Sequence, residues 1–151
     1  MPTNGVASAG SEVALSAIAP ATLDTQTDWE ALTWTPWEEC TNIGEYGVTA
    51  DEAIYTPVKS GEKVKISTIV DNGELTLEGP FDDTDPALAI LQVATSARPI
   101  APVYARVTNS LGNVRYMKGN PRSFKEKPNT AGDILMIMAN VSVSGAILYA
   151  V

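Results

Sequence analysis

Histidine is absent from this chain of 151 residues, and cysteine occurs once, as Cys40. Without histidine, Ser-His-Asp and Cys-His catalytic groups and histidine metal sites cannot be built, and one cysteine cannot form an intramolecular disulfide. The longest apolar runs, Val13–Ala19 and Ile134–Ala139, are far shorter than the ~20 residues of a membrane-spanning helix. The N-terminus also lacks the basic residues of a secretory signal. We therefore expect no enzyme activity, no cofactor, no metal, no membrane partner and assembly in the cytoplasm.

Basic residues are scarce in the first part of the chain. Residues 1–90 contain 16 acidic and 3 basic side chains, whereas residues 91–151 contain 2 acidic and 7 basic ones. A DNA-binding domain would be basic overall, but the formal net charge here is −8. The asymmetry favours either an acidic region that repels nucleic acid or oppositely charged surfaces that attract head to tail between copies.

Strand signals follow a polar N-terminal region. Residues 1–27 are mostly small and polar, and only the short stretch Val13–Ile18 could pair or dock, which predicts an extended N-terminal arm. Loose alternation over Ala31–Ile43 and the composition of Val48–Tyr55 indicate strands. From Val64 to Val70, apolar and β-branched residues recur with period two, which indicates a further strand.

The dipeptide Asn72-Gly73 separates two alternating segments, a strong signal for a hairpin. In the returning strand, Glu74–Glu78, alternation places Leu75 and Leu77 on the core face. The opposite face then carries Glu74, Thr76 and Glu78.

One helix is predicted after the acidic segment Asp82–Asp85. Thr84 or Asp85 can cap it, Pro86 suits its first turn, and Pro99 ends it. The acids could also suggest calcium, but they lack the glycine and the distal glutamate of a calcium loop. Helix capping is the favoured interpretation.

The remaining strands are predicted at Ala101–Thr108, Val114–Lys118 and Asp133–Ser144. Short turns and a single helix between groups of strands predict a mainly β fold with one α-helix, an antiparallel β-sandwich or half-barrel. The predicted domain covers residues 28–145, followed by a C-terminal segment, 146–151.

Several other groups of residues allow a functional and a structural interpretation. Trp29, Trp34 and Trp37 could stack on sugars or on single-stranded nucleic acid, but core or interface packing accounts for them equally well. Cys40 has no histidine to activate it. Glu38 and Glu39 are adjacent in a predicted strand, so they point to opposite faces and are poorly placed for acid–base catalysis.

Exposed strand edges provide an argument for oligomerisation. A small β domain with an arm, a long loop around Thr56–Asn72 and an apolar C-terminal run would leave edges and apolar ends uncovered in a monomer. Contacts repeated around a ring would cover them, and contacts repeated along an axis would produce a filament.

The order of these segments over Asp28–Gly145 resembles the major tail (tail tube) proteins of long-tailed, siphovirus-like bacteriophages. The similarity includes the strand Val48–Tyr55, the Gly-Glu-Leu-Thr-Leu strand Gly73–Leu77, the Asp-rich helix start, and the hairpin Val103–Gly119 with its Asn109-Ser-Leu-Gly-Asn113 turn. It is a similarity of order and spacing.

The resemblance implies a structural subunit of hexameric rings that stack into a tube in the virion tail. Each subunit would contribute four strands to an inner barrel around a channel for DNA: Val48–Tyr55, Gly73–Gly79, Ala101–Thr108 and Val114–Gly119. The lumen-facing candidates are Glu74, Thr76, Glu78 and Glu52, whose charge would repel DNA phosphates, and Arg106 and Arg115 could share that wetted face.

The resemblance also implies partners. The long loop, with Lys59, Lys63 and Lys65, would contact the adjacent ring. Expected partners besides further copies are a tape measure protein, tail terminator and tail tip proteins, and genomic DNA in transit. The alternatives are the inner tube of a contractile tail or phage-tail-like injection particle and, from another class, a carbohydrate-binding β-sandwich that uses the three tryptophans.

Overall fold

The computed structural model describes residues 9–128 and 130–150. Within these ranges the helices are α1 (Gln26–Glu30) and α2 (Pro86–Ser96). The ten strands are β1 (Glu12–Ser16), β2 (Thr35–Pro36), β3 (Asn42–Ile43), β4 (Thr49–Tyr55), β5 (Val64–Asp71), β6 (Glu74–Pro80), β7 (Val103–Thr108), β8 (Val114–Lys127), β9 (Met136–Val143) and β10 (Leu148–Tyr149). No helix among the described residues is long and apolar enough to cross a membrane.

An eight-stranded antiparallel sheet forms the body of the protein. Its strand order is β2-β1-β7-β8-β9-β6-β3, and β10 also pairs with β8. The sheet is not closed into a barrel within the chain. The predicted mainly β, antiparallel, sandwich-like fold is therefore confirmed, as is the hairpin of β7 and β8.

The core lies between one face of this sheet and α2. Alternate residues of β1, β7, β8, β9 and β6 point toward it, since successive side chains of a strand point to opposite faces. The buried set includes Val13, Leu15, Leu75, Leu77, Leu88, Leu91, Val103, Ala105, Val107, Met117, Ile137, Ala139, Val141 and Ile147, with Trp37 and smaller residues of α2.

The start of α2 follows the sequence prediction. Asp85 is the N-cap, and its Oδ1 accepts a hydrogen bond of 3.0 Å from the backbone N–H of Ala87. Pro86 occupies the first helical turn, where no N–H is needed. The helix ends at Ser96, before Pro99. A second helix, α1, was not expected from the sequence.

Within the predicted N-terminal arm, 1–27, residues 12–16 form β1, in the stretch that the sequence indicated could pair. β1 is an interior strand of the main sheet, with β2 on one side and β7 on the other. Val13 and Leu15 are fully buried, because their spacing of two puts both on the core face. Residues 1–8 of the predicted arm lie outside the described residues.

β4 and β5 form a separate two-stranded sheet and pair with no strand of the main sheet. The predicted hairpin of 64–70 with Glu74–Glu78 is therefore wrong in its pairing, although both strands exist. β5 does not pair with β6, because β6 already has a neighbour on each side: β9 pairs along its whole length, and β3 pairs on the other side. Gly73, at φ 87°, redirects the chain between the two sheets.

A single short segment connects the two edges of the main sheet. β2 pairs with β1 at one edge, and β3 pairs with β6 at the other, only a few residues later in the chain. Between them, the backbone N–H of Trp37 donates to Val13 O at 2.9 Å, and that of Thr41 donates to Glu78 O at 2.8 Å. The indole of Trp37 is buried in the core, so this segment holds the two edges together.

Candidate assembly surfaces

The face of the main sheet opposite the core is polar over β6 and β9. Glu74, Thr76 and Glu78 alternate with the buried Leu75 and Leu77, as the sequence predicted. Register places Ser142, Asn140 and Met138 of β9 beside them, in that order. This polar face, β6 with β9, is a surface of hydroxyl, amide, thioether and carboxylate groups.

The basic partner of this polar face differs from the expected one. Arg122 Nη1 lies 3.5 Å from Glu74 Oε2. Arg106 instead pairs with Glu12 at 3.6 Å and stacks over Trp34. Arg115 lies over the ring of Tyr149. Arg106 does lie on the glutamates' side of the sheet, opposite the core, because it alternates with the buried Ala105 and Val107, but it pairs with Glu12 of β1 and not with them. The expectation of a shared face is wrong for Arg115, which shares the face of Val107 and Met117 and so lies on the other side of the sheet.

The four strands predicted for the inner barrel do not form one continuous group within the described chain, although β7 and β8 pair directly. β9 lies between β8 and β6, and β4 belongs to the other sheet. Glu52 is therefore remote in the sheet order from Glu74, Thr76 and Glu78.

The β4–β5 hairpin is exposed on both faces. Every residue of β4 and all of β5 except Val64 are exposed. Large apolar side chains are included: Ile54, Tyr55, Ile66, Ile69 and Val70, and Val58 at the tip. An isolated two-stranded hairpin is at best marginally stable in water, so these side chains indicate a surface that another molecule covers.

The predicted contact loop, Thr56–Asn72, is largely the strand β5. Lys59 and Lys63 lie in the turn at the hairpin tip, and Lys65 lies in β5 opposite Ile54. All three are exposed. Lys65 and Glu52 lie on the same face of the hairpin. Lys65 is opposite Ile54, which is two positions from Glu52 along β4, and residues two positions apart in a strand point to the same face.

The three tryptophans are packing residues. Trp37 belongs to the main core, whereas Trp29 packs with Tyr104 and Tyr116 on the other side of the sheet. Trp34 stacks on Trp29 at 6.2 Å between ring centroids. The indole N–H groups of Trp29 and Trp34 donate to backbone carbonyls. They form no shared exposed platform, which removes the basis of the carbohydrate-binding alternative.

The acidic helix start and Cys40 also have structural roles. Asp82 accepts hydrogen bonds from the N–H and hydroxyl of Thr84, and these lower the pKa of its carboxyl group. Burial raises the pKa of the Cys40 thiol, which lies near Glu78 O at 3.3 Å. In the described part of the chain, no three histidine, cysteine or acidic residues cluster as metal ligands.

No family model matches the chain, and no curated protein matches it. Some solved structures, however, are similar to it in fold. A chain in the six-fold symmetrised baseplate of the anti-feeding prophage (AFP) has a TM-score of 0.67 and 15% identity, covering 99% of this chain and 98% of that one. A chain in the PVC sheath/tube terminator of an extracellular contractile injection system, in the extended state, has a TM-score of 0.67, 11% identity and 99% coverage of both chains.

A third similar chain comes from the AFP tube-terminating cap, with a TM-score of 0.65, 14% identity, and coverage of 99% and 95% of the two chains. At these identities the likeness shows the fold. The chain has the tail-type fold found in particles that resemble phage tails. The sequence resemblance is confirmed at the level of the fold, and one of these similar structures belongs to an extracellular contractile injection system, the kind of particle that the sequence left as an alternative.

Proposed function

We propose that the chain is a repeating structural subunit of a tail-type tube, without catalytic activity. The observation that carries the proposal is the β4–β5 hairpin, with apolar side chains exposed on both faces and no further strand beside it among the residues that the structure describes. Such a surface needs a partner, and a subunit that repeats along a tube provides one in every copy.

The particle supplies the context for this proposal. Full-length likeness to a chain of a six-fold symmetrised baseplate supports hexameric rings. The polar face of β6 and β9 would line the channel, where the carboxylates of Glu74 and Glu78 repel DNA phosphates and allow the genome to slide. Glu52 would join this surface from a neighbouring copy.

Ring stacking would involve the hairpin tip, with Lys59 and Lys63, and Lys65 beside it. Tape measure, terminator and tip proteins would contact the ends or interior of the tube in the virion tail, after assembly in the host cytoplasm. The inner tube of a contractile injection particle is the second candidate, and the solved relatives favour it. A sheath around the tube in the native particle distinguishes the two.

The hairpin can be tested without disturbing the fold. Ile66 and Ile69 are 48% and 67% exposed, so Ile66→Thr with Ile69→Thr should change the free energy of unfolding by less than about 0.5 kcal/mol. Sedimentation velocity measures assembly. The double variant should need a protein concentration at least about tenfold higher than wild type to assemble, because it loses apolar area that is buried between copies.

The matched control is Val93→Thr, which makes the same kind of apolar-to-threonine change at an exposed position of α2, where the side chain is 71% exposed. It should leave assembly unchanged. Assembly of the hairpin variant at the wild-type concentration would contradict the proposed role of the hairpin.

A further inference from the structure

The second half of β8 has an open edge. β7 pairs with β8 only from Val114 to Gly119, while β9 covers the other side from Gly119 to Lys127. On the β7 side, no strand among the described residues pairs with Asn120–Lys127. Backbone N–H and C=O groups there can accept another strand.

This edge is basic and protected against indiscriminate pairing. Lys125 and Lys127 are exposed and share the face of Met138 and Met136, their register partners in β9. Pro121 and the irregular register between Pro121 and Ser123 interrupt the start of the tract. Lysine, proline and bulges are common devices against aggregation of edges, so only a complementary strand should pair here.

β4 is the complementary strand. It is 7 residues long, is paired only with β5, and carries Asp51 and Glu52 without any basic residue. The other open edge of the hairpin, β5, carries Lys65 and Asp71, whose charges cancel. Of the two hairpin edges, charge selects β4 as the partner of the basic edge.

We propose that β4 of one copy adds to the open edge of β8 in a second copy, continuing the main sheet across subunits. The inference rests on the proposed function and names the partner surfaces of that assembly. An antiparallel register with Glu52 opposite Lys127 also places Tyr55 opposite Phe124, an aromatic pair of the kind that stabilises neighbouring strands. Ala53 then lies opposite Glu126, so no acidic residues face each other.

A two-fold dimer would pair one edge with the same edge of a second copy, whereas this contact joins two different edges. Pairing of β4 with β8 is head-to-tail. A head-to-tail contact continues from copy to copy until it closes a ring or extends as a filament.

A charge swap tests this contact. Glu52→Lys and Lys127→Glu alone should each raise the concentration needed for assembly by about tenfold, since each puts like charges across the contact. The double variant, Glu52→Lys with Lys127→Glu, should return to within roughly twofold of wild type. Glu38→Lys, an exposed position in neither edge, is the control for the charge change. Urea unfolding verifies that each variant is folded.

The outcomes separate the two proposals. If wild-type protein assembles but the single variants behave like Glu38→Lys, or if the double variant is not restored, the edge contact is wrong while the tube subunit stands. If wild-type protein remains monomeric at high concentration, the tube proposal fails, and the edge contact fails with it.

Discussion

Close packing around Trp37 decides how the two edges of the main sheet are held. Gly79 lies against the indole ring, and a Cβ added at Gly79 would be 2.5 Å from Trp37 Cζ2 and 3.2 Å from Cys40 Cα. Real carbon atoms do not approach this closely. Either the ring or the backbone at Cys40 must therefore move if any side chain is placed here.

Gly79→Ala should consequently lower the free energy of unfolding by about 1–3 kcal/mol, the usual cost of overpacking a core. Urea denaturation measures the change. Gly132→Ala is the matched control, because nothing lies within 4 Å of its added Cβ, and it should be neutral. Equal stability of the two variants would show that the segment at Trp37 moves aside without cost.

For single residues, the alternation of apolar and polar side chains predicted which way the side chains point, but it did not predict which strands pair. Leu75 and Leu77 are buried as expected, because the period of two is a local property of a strand. Asn72-Gly73 does form a turn, with Gly73 N–H donating to Asp71 Oδ1 at 2.9 Å. Which strands pair beyond the turn depends on β9, more than sixty residues later, and no local pattern contains that information.

Among the elements, α2 is the one whose limits follow most directly from the sequence. Its N-cap bond, from Ala87 N–H to Asp85 Oδ1, satisfies a backbone donor that the helix itself cannot. Asp85→Ala should therefore destabilise the protein by about 1 kcal/mol, and Asp85→Asn should retain most of the stability. Thermal unfolding of both variants provides the measurement. A loss as large in Asp85→Asn would contradict capping as the role of this side chain.

β1 and β8 were harder to predict. β1 is only 5 residues long and is flanked by small polar residues typical of an arm, yet pairing on both sides buries it. β8 extends to Lys127 through Pro121 and several charged residues, which argue against a strand in isolation. The pairing with β9 on one side permits it, since a strand with one open edge tolerates proline and lysine.

For the whole molecule, the structure shows where the acidic and the basic parts of the sequence lie. The acidic part of the sequence supplies the β4 edge and the polar face of β6, and the basic part supplies the open edge of β8. Glu74, Thr76 and Glu78 lie half-buried on the face opposite the core, as their alternation with Leu75 and Leu77 predicted. Their predicted position in a channel, like that of Glu52, stays a prediction, because it depends on contacts between copies that a single chain does not contain.

Self-assembly is the central claim, and electron microscopy of the purified full-length chain tests it most directly. Negative-stain images across a range of protein concentrations should show rings or tubes with an open channel, and top views should have six-fold symmetry. A population that remains monomeric at the highest concentration, with the protein folded by circular dichroism, would contradict the claim.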